Sequence, residues 1–232
     1  MAIDGPSGSG KSTVAREVAR RLHLRYLDTG AMFRAVTWWA LECRADLDDP
    51  TALAELTERV SLQISTDPGD FWIVAEGRDA TDAIRTRPVT NAVSVVSAVR
   101  AVRQHLLRLQ RELIGSGGIV VEGRDIGTVV APDAHVKVFL TASSSARANR
   151  RSRELDGSPQ PGAAAEVAMT QTRAEIDRRD RLDSSRAAAP LVRAPDAVEL
   201  DSTTMTAAQV VDEVLQLYNE VTSPQPLPVL GR

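Results

Sequence analysis

Ile3-Asp4-Gly5-Pro6-Ser7-Gly8-Ser9-Gly10-Lys11-Ser12-Thr13 lies at the head of the chain, and its reading decides the fold. The spacing is G-x-x-x-x-G-K-S, the signature of a phosphate-cradling P-loop. Its parts have separate jobs. The glycines let the backbone take positive φ, so successive N–H groups can converge on one concavity. The helix that follows adds its positive N-terminal end, which favours a bound phosphate. Lys11 supplies a full charge for the β- and γ-phosphates, and the Ser12 hydroxyl is placed to ligate Mg²⁺. Apolar residues precede the loop, and Val14, Val18 and Leu22 recur at helical spacing after it. A chance Gly/Ser-rich loop accounts for the glycines, but not for Lys and Ser together between a strand and a helix. Gly5, Pro6, Ser7, Gly8, Ser9, Gly10, Lys11, Ser12 and Thr13 are therefore the expected nucleoside triphosphate contacts.

Outward from the loop, strands and helices alternate. Residues 14–23 read as a helix, 23–28 as a short connection and strand, 31–44 as a helix after a Thr29-Gly30 turn, and 52–60 as another helix. Between 60 and 88 the character changes. Residues 61–65 alternate polar and apolar, 71–75 read as a second strand, and Glu76-Gly77-Arg78-Asp79 reads as a turn. This is expected to be a small antiparallel insertion, distinct from the parallel core. Residues 91–113 carry apolar residues at three- and four-residue steps, and the spacing predicts one long helical region.

Ile119-Val120-Val121 is a continuous apolar run, as in a central parallel strand. A strand at 134–140, an Arg-rich helix at 143–155, a helix at 163–179, a last strand at 197–201 and a closing helix at 206–218 complete the pattern. Alternation of this kind predicts a three-layer α/β/α sandwich on a parallel sheet. The strand feeding the loop has only Met1-Ala2-Ile3 before Asp4, short beside the usual length of about five residues. Residues 223–232 are rich in proline without periodicity and are expected to be disordered.

The chain's 232 residues suit one such unit with an insertion, and a 43% apolar fraction supplies a core. No run resembles a transmembrane span, and the loop stands where a signal peptide would, so no membrane partner and a cytoplasmic location are expected. The single cysteine, Cys43, excludes an intrachain disulfide and is expected to be a packing residue. A net charge of −3 argues against a general polyanion binder, hence no nucleic-acid partner. Of 28 basic residues only Lys11 and Lys137 are lysines, which GC-rich codon usage explains for most of the arginines. A functional argument must rest on where an arginine sits.

Branches of the P-loop class separate on sequence. The lysines are preceded by Gly10 and Val136, so the guanine-reading N-K-x-D motif is absent and a GTPase is excluded. A motor ATPase needs more chain and an aspartate closing an apolar strand, where this sequence has Glu122. A small-molecule kinase remains, and it needs a second positive pocket for its acceptor. Arg34 lies one turn into the helix after Thr29-Gly30. Arg124 lies beside Asp125 just beyond the 119–121 strand, where open parallel sheets bind ligands. Arg179, Asp183 and Arg186 share one helix face at i, i+4 and i+7. Any one of these fits a solvated ion pair; three clusters in such contexts point to a phosphate site.

From the loop to about Tyr218 the chain resembles bacterial cytidylate kinases. The matching stretches are Leu27-Asp28-Thr29-Gly30-Ala31-Met32-Phe33-Arg34, Ile84-Arg85-Thr86 with Val93-Ser94, Gly123-Arg124-Asp125-Ile126-Gly127-Thr128-Val129-Val130, Arg150-Arg151, and Arg179-Asp180-Arg181-Leu182-Asp183-Ser184-Ser185-Arg186. The motifs at 123–130 and 179–186 are far more specific than the P-loop, and adenylate kinases lack them.

The resemblance implies a P-loop NTPase fold with an inserted monophosphate-binding region and a helical lid. It implies one unit over 1–222, with the core at about 1–59, 89–147 and 163–222, the insert at about 60–88 and the lid at about 148–162. It implies Mg²⁺-dependent transfer of the ATP γ-phosphoryl to CMP or dCMP by a monomer. By the same resemblance Lys11, Arg34, Arg124, Arg179 and Arg150 do the electrostatic catalysis and Ser12 meets the metal. Thr29, Gly30, Arg34, Ser94, Arg103, Arg124, Asp125, Arg179, Asp183 and Arg186 hold the acceptor. Of these, Arg34 and Arg124 take its phosphate, Ser94, Arg103 and Asp125 its cytosine, and Asp183 its ribose. Arg147 and Arg151 stand with Arg150 near the lid. Thr29 and Phe33 replace Ser and Tyr common in the family; Phe33 loses a hydroxyl. A kinase of another small acceptor, UMP or a shikimate-like molecule, and a non-catalytic ATP-sensing module are the alternatives.

Overall fold

The computed structural model describes residues 1–156, 163–186 and 188–223. The expected lid therefore lies partly, at 157–162, and the expected tail almost wholly, at 224–232, outside the described residues.

Five strands make a parallel sheet: β1 (Ala2–Asp4), β2 (Arg25–Asp28), β6 (Ile119–Gly123), β7 (Lys137–Thr141) and β8 (Val198–Asp201), in the order β2-β6-β1-β7-β8. Alternating side chains divide the core into two. Ala2, Leu27 and Val121 face one side with helices α2 (Thr29–Glu42), α3 (Pro50–Arg59), α4 (Arg87–Ala98) and α5 (Arg100–Ile114). Ile3, Tyr26, Val120, Val138 and Leu140 face the other with α1 (Lys11–Arg21) and α8 (Ala207–Thr222). The expected three-layer sandwich is thus formed. Full burial of a side chain such as Ile3 contributes about 2 kcal/mol.

The short first strand is fully paired. Its three residues are buried between β6 and β7, and Met1 extends the ladder at both its polar groups, its amine donating to Ile119 O at 3.0 Å and its carbonyl accepting from Val121 N at 3.0 Å. Burial lowers the affinity of that amine for its proton.

The insertion is a three-stranded antiparallel sheet, β3 (Leu62–Ile64), β4 (Ile73–Ala75) and β5 (Arg78–Asp79). The turn expected at 76–79 therefore ends in a further strand, too short to show a period. Ile64, Ile73 and Ala75 belong to the same apolar cluster as Leu27 and Val121, so the insert shares the core of the parallel unit.

Local chemistry sets the helix starts. Asp28 caps α2 by accepting Ala31 N at 2.9 Å, Asp49 caps α3 ahead of Pro50, and Thr206 with Gln209 forms a capping box on α8. The long helix expected over 91–113 is two helices. Val99 is extended (φ −69°, ψ 119°), and the Arg103 guanidinium donates to the freed Ser97 carbonyl at 3.3 Å. Cys43 is exposed rather than packed, because α2 stops at Glu42 and Cys43 lies just past its last turn. Helices α6 (Ser144–Asp156) and α7 (Ala163–Ser184) pack on each other beside the loop. No helix among the described residues is long and apolar enough to cross a membrane.

Candidate active site

A cleft of about 980 Å³ opens at the carboxyl ends of β1, β2 and β6. That is the upper end of the range for small-ligand pockets, room for two ligands. One part is lined by Ser7, Gly8, Gly10, Lys11, Ser12 and Thr13, another by Arg34, Arg124, Arg179 and Arg186, and a third by Ser94, Arg103 and Asp125. Thr29, Gly30, Asp183 and Arg151 also face it.

The loop is held by its carbonyls. Gly5 O accepts from Arg124 Nη1 at 2.5 Å, Pro6 O from Lys11 Nζ at 2.8 Å, Ser7 O from Arg147 Nη1 at 3.0 Å and Ser9 O from Arg150 Nη1 at 3.1 Å. With these acceptors satisfied, the N–H groups from Gly8 to Lys11 are left for an anion, while that of Ser7 donates to Asp180 Oδ1 at 3.0 Å. Close packing demands glycine at two places. A Cβ on Gly5 would sit 2.1 Å from Leu140 O, and one on Gly8 (φ +74°) 2.9 Å from Arg147 O. Gly5, Pro6 and Ser9 thus shape the loop without lining the cleft.

Lys11 is 8% exposed, and burial together with Arg124 lowers its pKa. Glu122 lies below it, 3% exposed; burial and Asp28 push its carboxyl up, while Lys11 and hydrogen bonds from Tyr26 and Ser12 oppose that. Ser12 lines the cleft and is exposed there.

The arginine cluster is strained electrostatically. Burial, then Arg151, lowers the pKa of Arg34 to about 10. Burial, then Arg34 and Arg124, lowers that of Arg179 to about 9. Arg179 Nε is buried with no hydrogen-bond partner among the described residues. Such a crowd of guanidiniums with an unmet donor fits a polyanion. Arg34 is aimed by Ile84 O at 3.1 Å and Thr90 Oγ1 at 2.9 Å. Asp183 orders the rest, accepting Arg124 Nε at 2.8 Å and Arg186 Nη2 at 2.6 Å. Burial raises its pKa, but Arg124, Arg186 and Arg179 outweigh that and leave it lowered.

Beyond the arginines, Arg103 Nη2 meets Asp125 Oδ2 at 2.5 Å, both nearly buried. The Phe33 ring lies 5.2 Å under the Arg103 guanidinium, so the ring that lacks a hydroxyl acts here through its face. A π-helical turn, Ile126–Val130, follows Asp125, and Asp4 fixes its start by accepting Ile126 N at 2.8 Å and Gly127 N at 2.7 Å.

All the expected acceptor residues thus converge on one cleft. Arg150 does not. Its guanidinium is spent on Ser9 O, Ser202 Oγ at 2.9 Å and Ser202 O at 2.6 Å, bracing the loop from behind, while Arg151 lines the cleft in its place. Helical rotation decides this: neighbours on α6 point about 100° apart. Asp4, Glu122 and Asp180 do not stand out as site residues in the sequence. Asp4 and Glu122 do carry a signal there, a charge closing an apolar strand.

A sequence model of the cytidylate kinase family matches residues 1–220. The cytidylate kinase of Streptomyces avermitilis is 48% identical over 222 residues, 95% of this chain and 92% of the relative. That of Geobacillus kaustophilus is 46% identical, covering 95% and 96%. A bifunctional pantoate ligase/cytidylate kinase of a Synechococcus strain is 47% identical over 95% of this chain, which spans 40% of that longer protein. The family match runs through the phosphate loop, the Gly123-Arg124-Asp125 turn and the arginine helix that together build the cleft, and the chain belongs to the cytidylate kinase family.

Proposed function

We propose that the chain transfers the γ-phosphoryl group of ATP to CMP or dCMP, releasing ADP and CDP or dCDP. The observation that carries this reading is a single cleft with the Lys11 loop in one part and the Arg34, Arg124 and Arg179 cluster beside the Arg103–Asp125 pair in the rest. The bond from the γ-phosphorus to the β-phosphate oxygen breaks, and one to an oxygen of the CMP phosphate forms. That oxygen is already anionic, so no general base is required.

Lys11 and the loop N–H groups hold the ATP phosphates, and Arg34, Arg124 and Arg179 hold the CMP phosphate and the charge spread in the transition state. The two phosphates are brought in line within a cleft that limits water, which suppresses ATP hydrolysis. Mg²⁺, when bound, neutralises the β- and γ-oxygens. Ser12 fits its single protein ligand, since Mg²⁺ at such sites takes most of its shell from phosphates and water. Among the described residues no group of three or more His, Cys, Asp or Glu offers an all-protein cage, which this mode of binding does not need.

Cytosine offers an amino donor and ring acceptors on its pairing edge. Asp125 takes the amino group, Arg103 meets the acceptors, and Ser94 stands beside them. Uracil presents a carbonyl where Asp125 needs a donor, leaving a buried carboxylate unmet. The Asp183 carboxylate, with oxygens to spare after two arginine contacts, accepts from a ribose hydroxyl. ADP release measured across CMP, dCMP, UMP and AMP tests the assignment. Turnover with CMP and dCMP is expected. Equal turnover with UMP overturns the base reading, and acceptor-independent ATP consumption overturns the kinase reading.

A further inference from the structure

Asp180 follows Arg179 on α7, yet its carboxylate is turned to the donor loop. Oδ1 accepts Ser7 N at 3.0 Å, and Oδ2 pairs with Arg147 Nη1. Arg147 is 7% exposed near the start of α6, and the same Nη1 donates to Ser7 O at 3.0 Å. Ser7 is therefore held at both its main-chain polar groups, its N–H by Asp180 and its carbonyl by Arg147, and the two holders pair with each other. The ring closes across the loop, α6 and α7. A second strap runs parallel to it, from Asp183 through Arg124 to Gly5 O. Both straps start on the segment that carries Arg179 and Arg186 and end within two residues of each other on the loop.

A surface ion pair would be worth little here, but this carboxylate is mostly buried and accepts a main-chain N–H. Position along the helix gives it a further consequence. An anion gathered by Arg34, Arg124 and Arg179 fixes the turn of α7 on which Asp180 sits. That turn fixes the Ser7 backbone, and with it the run of N–H groups from Gly8 to Lys11.

We propose that Asp180 is a positioning residue that couples the two substrates, so that acceptor bound on α7 organises the donor loop, and donor bound on the loop organises α7. The idea rests on the reading of the α7 arginines as the acceptor site. Coupling of this kind is reciprocal: each ligand tightens the other by the same factor. The Asp180–Ser7–Arg147 ring is the contact that differs between an organised and a slack arrangement, which a coupling claim requires.

The test compares wild type with Asp180→Asn, which keeps the shape and removes the charge. Calorimetry gives the dissociation constants of a Mg²⁺-bound non-hydrolysable ATP analogue and of CMP, each with and without the other, and kcat is measured alongside. In wild type each ligand is expected to tighten the other by about tenfold. In the variant each ligand alone should bind within about threefold of wild type, mutual tightening should fall below about twofold, and kcat should drop about tenfold. Arg147→Lys, which keeps a cation but loses the fork, should fall between the two.

Full mutual tightening in Asp180→Asn overturns the proposal and leaves Asp180 a brace. Tighter binding of the analogue alone overturns it too, because the carboxylate would then be obstructing the loop. Absence of coupling in wild type overturns it as well. If wild type binds the analogue but not CMP, the functional reading itself fails, and the coupling idea with it. A folding defect in Asp180→Asn transfers the decision to Arg147→Lys, where unchanged coupling overturns the proposal.

Discussion

The two halves of the cleft are built by opposite means. The donor half is backbone. Consecutive residues Gly5 to Lys11 make it, their carbonyls held by Arg124, Lys11, Arg147 and Arg150. The acceptor half is side chain. Arg34 comes from α2, Arg103 from α5, Arg124 from the end of β6, and Arg179 and Arg186 from α7 and the residues just past it. The donor half carries the buried cation of Lys11. The acceptor half crowds buried guanidiniums: burial first, then neighbouring arginines, lowers the proton affinities of Arg34 and Arg179. An anion entering it offsets both the burial and the mutual repulsion of those guanidiniums.

The largest expected effect is in the donor half. Lys11→Ala should lower kcat a hundredfold or more, the scale of losing a central electrostatic donor. Lys11 is buried and its charge disfavoured, so the unfolding midpoint of the variant should stay level or rise. Near-normal turnover would break the assignment of the loop to the donor.

Next comes the acceptor half. Asp125→Ala removes the partner of Arg103 and the proposed acceptor for the cytosine amino group. A charged hydrogen bond is worth about 1.5–3 kcal/mol, so the KM for CMP should rise about ten- to a hundredfold with the KM for ATP changed less than about twofold. A rise in the ATP KM instead would show that the halves are not separable at Asp125.

Asp4 joins the halves, ending the strand that feeds the loop and holding the turn after Asp125. Burial raises its pKa from 3.8 to about 6, against the N–H groups of Gly127 and Ile126. A carboxyl raised in the folded state binds its proton more tightly there. Its contribution to stability is full below about pH 4 and is lost as pH rises to about 6. Asn does not titrate, so denaturant titrations should show wild type losing on the order of 2 kcal/mol relative to Asp4→Asn across that window. A pH-independent difference would break the account of the joint.

How much of each half is legible in the sequence follows from how each is built. The donor loop is contiguous, and its glycines, lysine and serine announce it by spacing alone. The sandwich follows from alternation of apolar strands and amphipathic helices. In the acceptor half, Arg124 and Arg179 can be picked out by strand-end and helix-face context, but their meeting is a tertiary fact. The extended Val99, the two-residue strand at Arg78 and the exposure of Cys43 leave no periodic trace. The aim of Asp180 is hidden for another reason: its neighbours Arg179 and Asp183 face the cleft, and spacing on a helix tells which residues share a face, not what the next face meets.

Arg150 and Arg151 give the finest contrast, since adjacent arginines on α6 serve different halves. Arg151 lines the cleft, and its charge is felt by Arg34 and Arg179. Arg150 turns to the rear of the loop, and its charge is felt by Asp201. Arg150→Gln removes the guanidinium from Ser9 O and Ser202 O, but Ser202 Oγ still reaches Ser9 O at 3.3 Å, so the loop keeps part of its brace. With that contact offsetting part of the loss, a net cost of about 1 kcal/mol translates to a rise in the KM for ATP of about fivefold. Turnover at saturation and the KM for CMP should stay within about twofold, because nothing is taken from the reacting phosphates. Arg151→Gln, measured beside it, should instead act on kcat. A fall in kcat of about a hundredfold for Arg150→Gln would return Arg150 to the transferring phosphoryl group and show that the rear of the loop is not insulated from the chemistry.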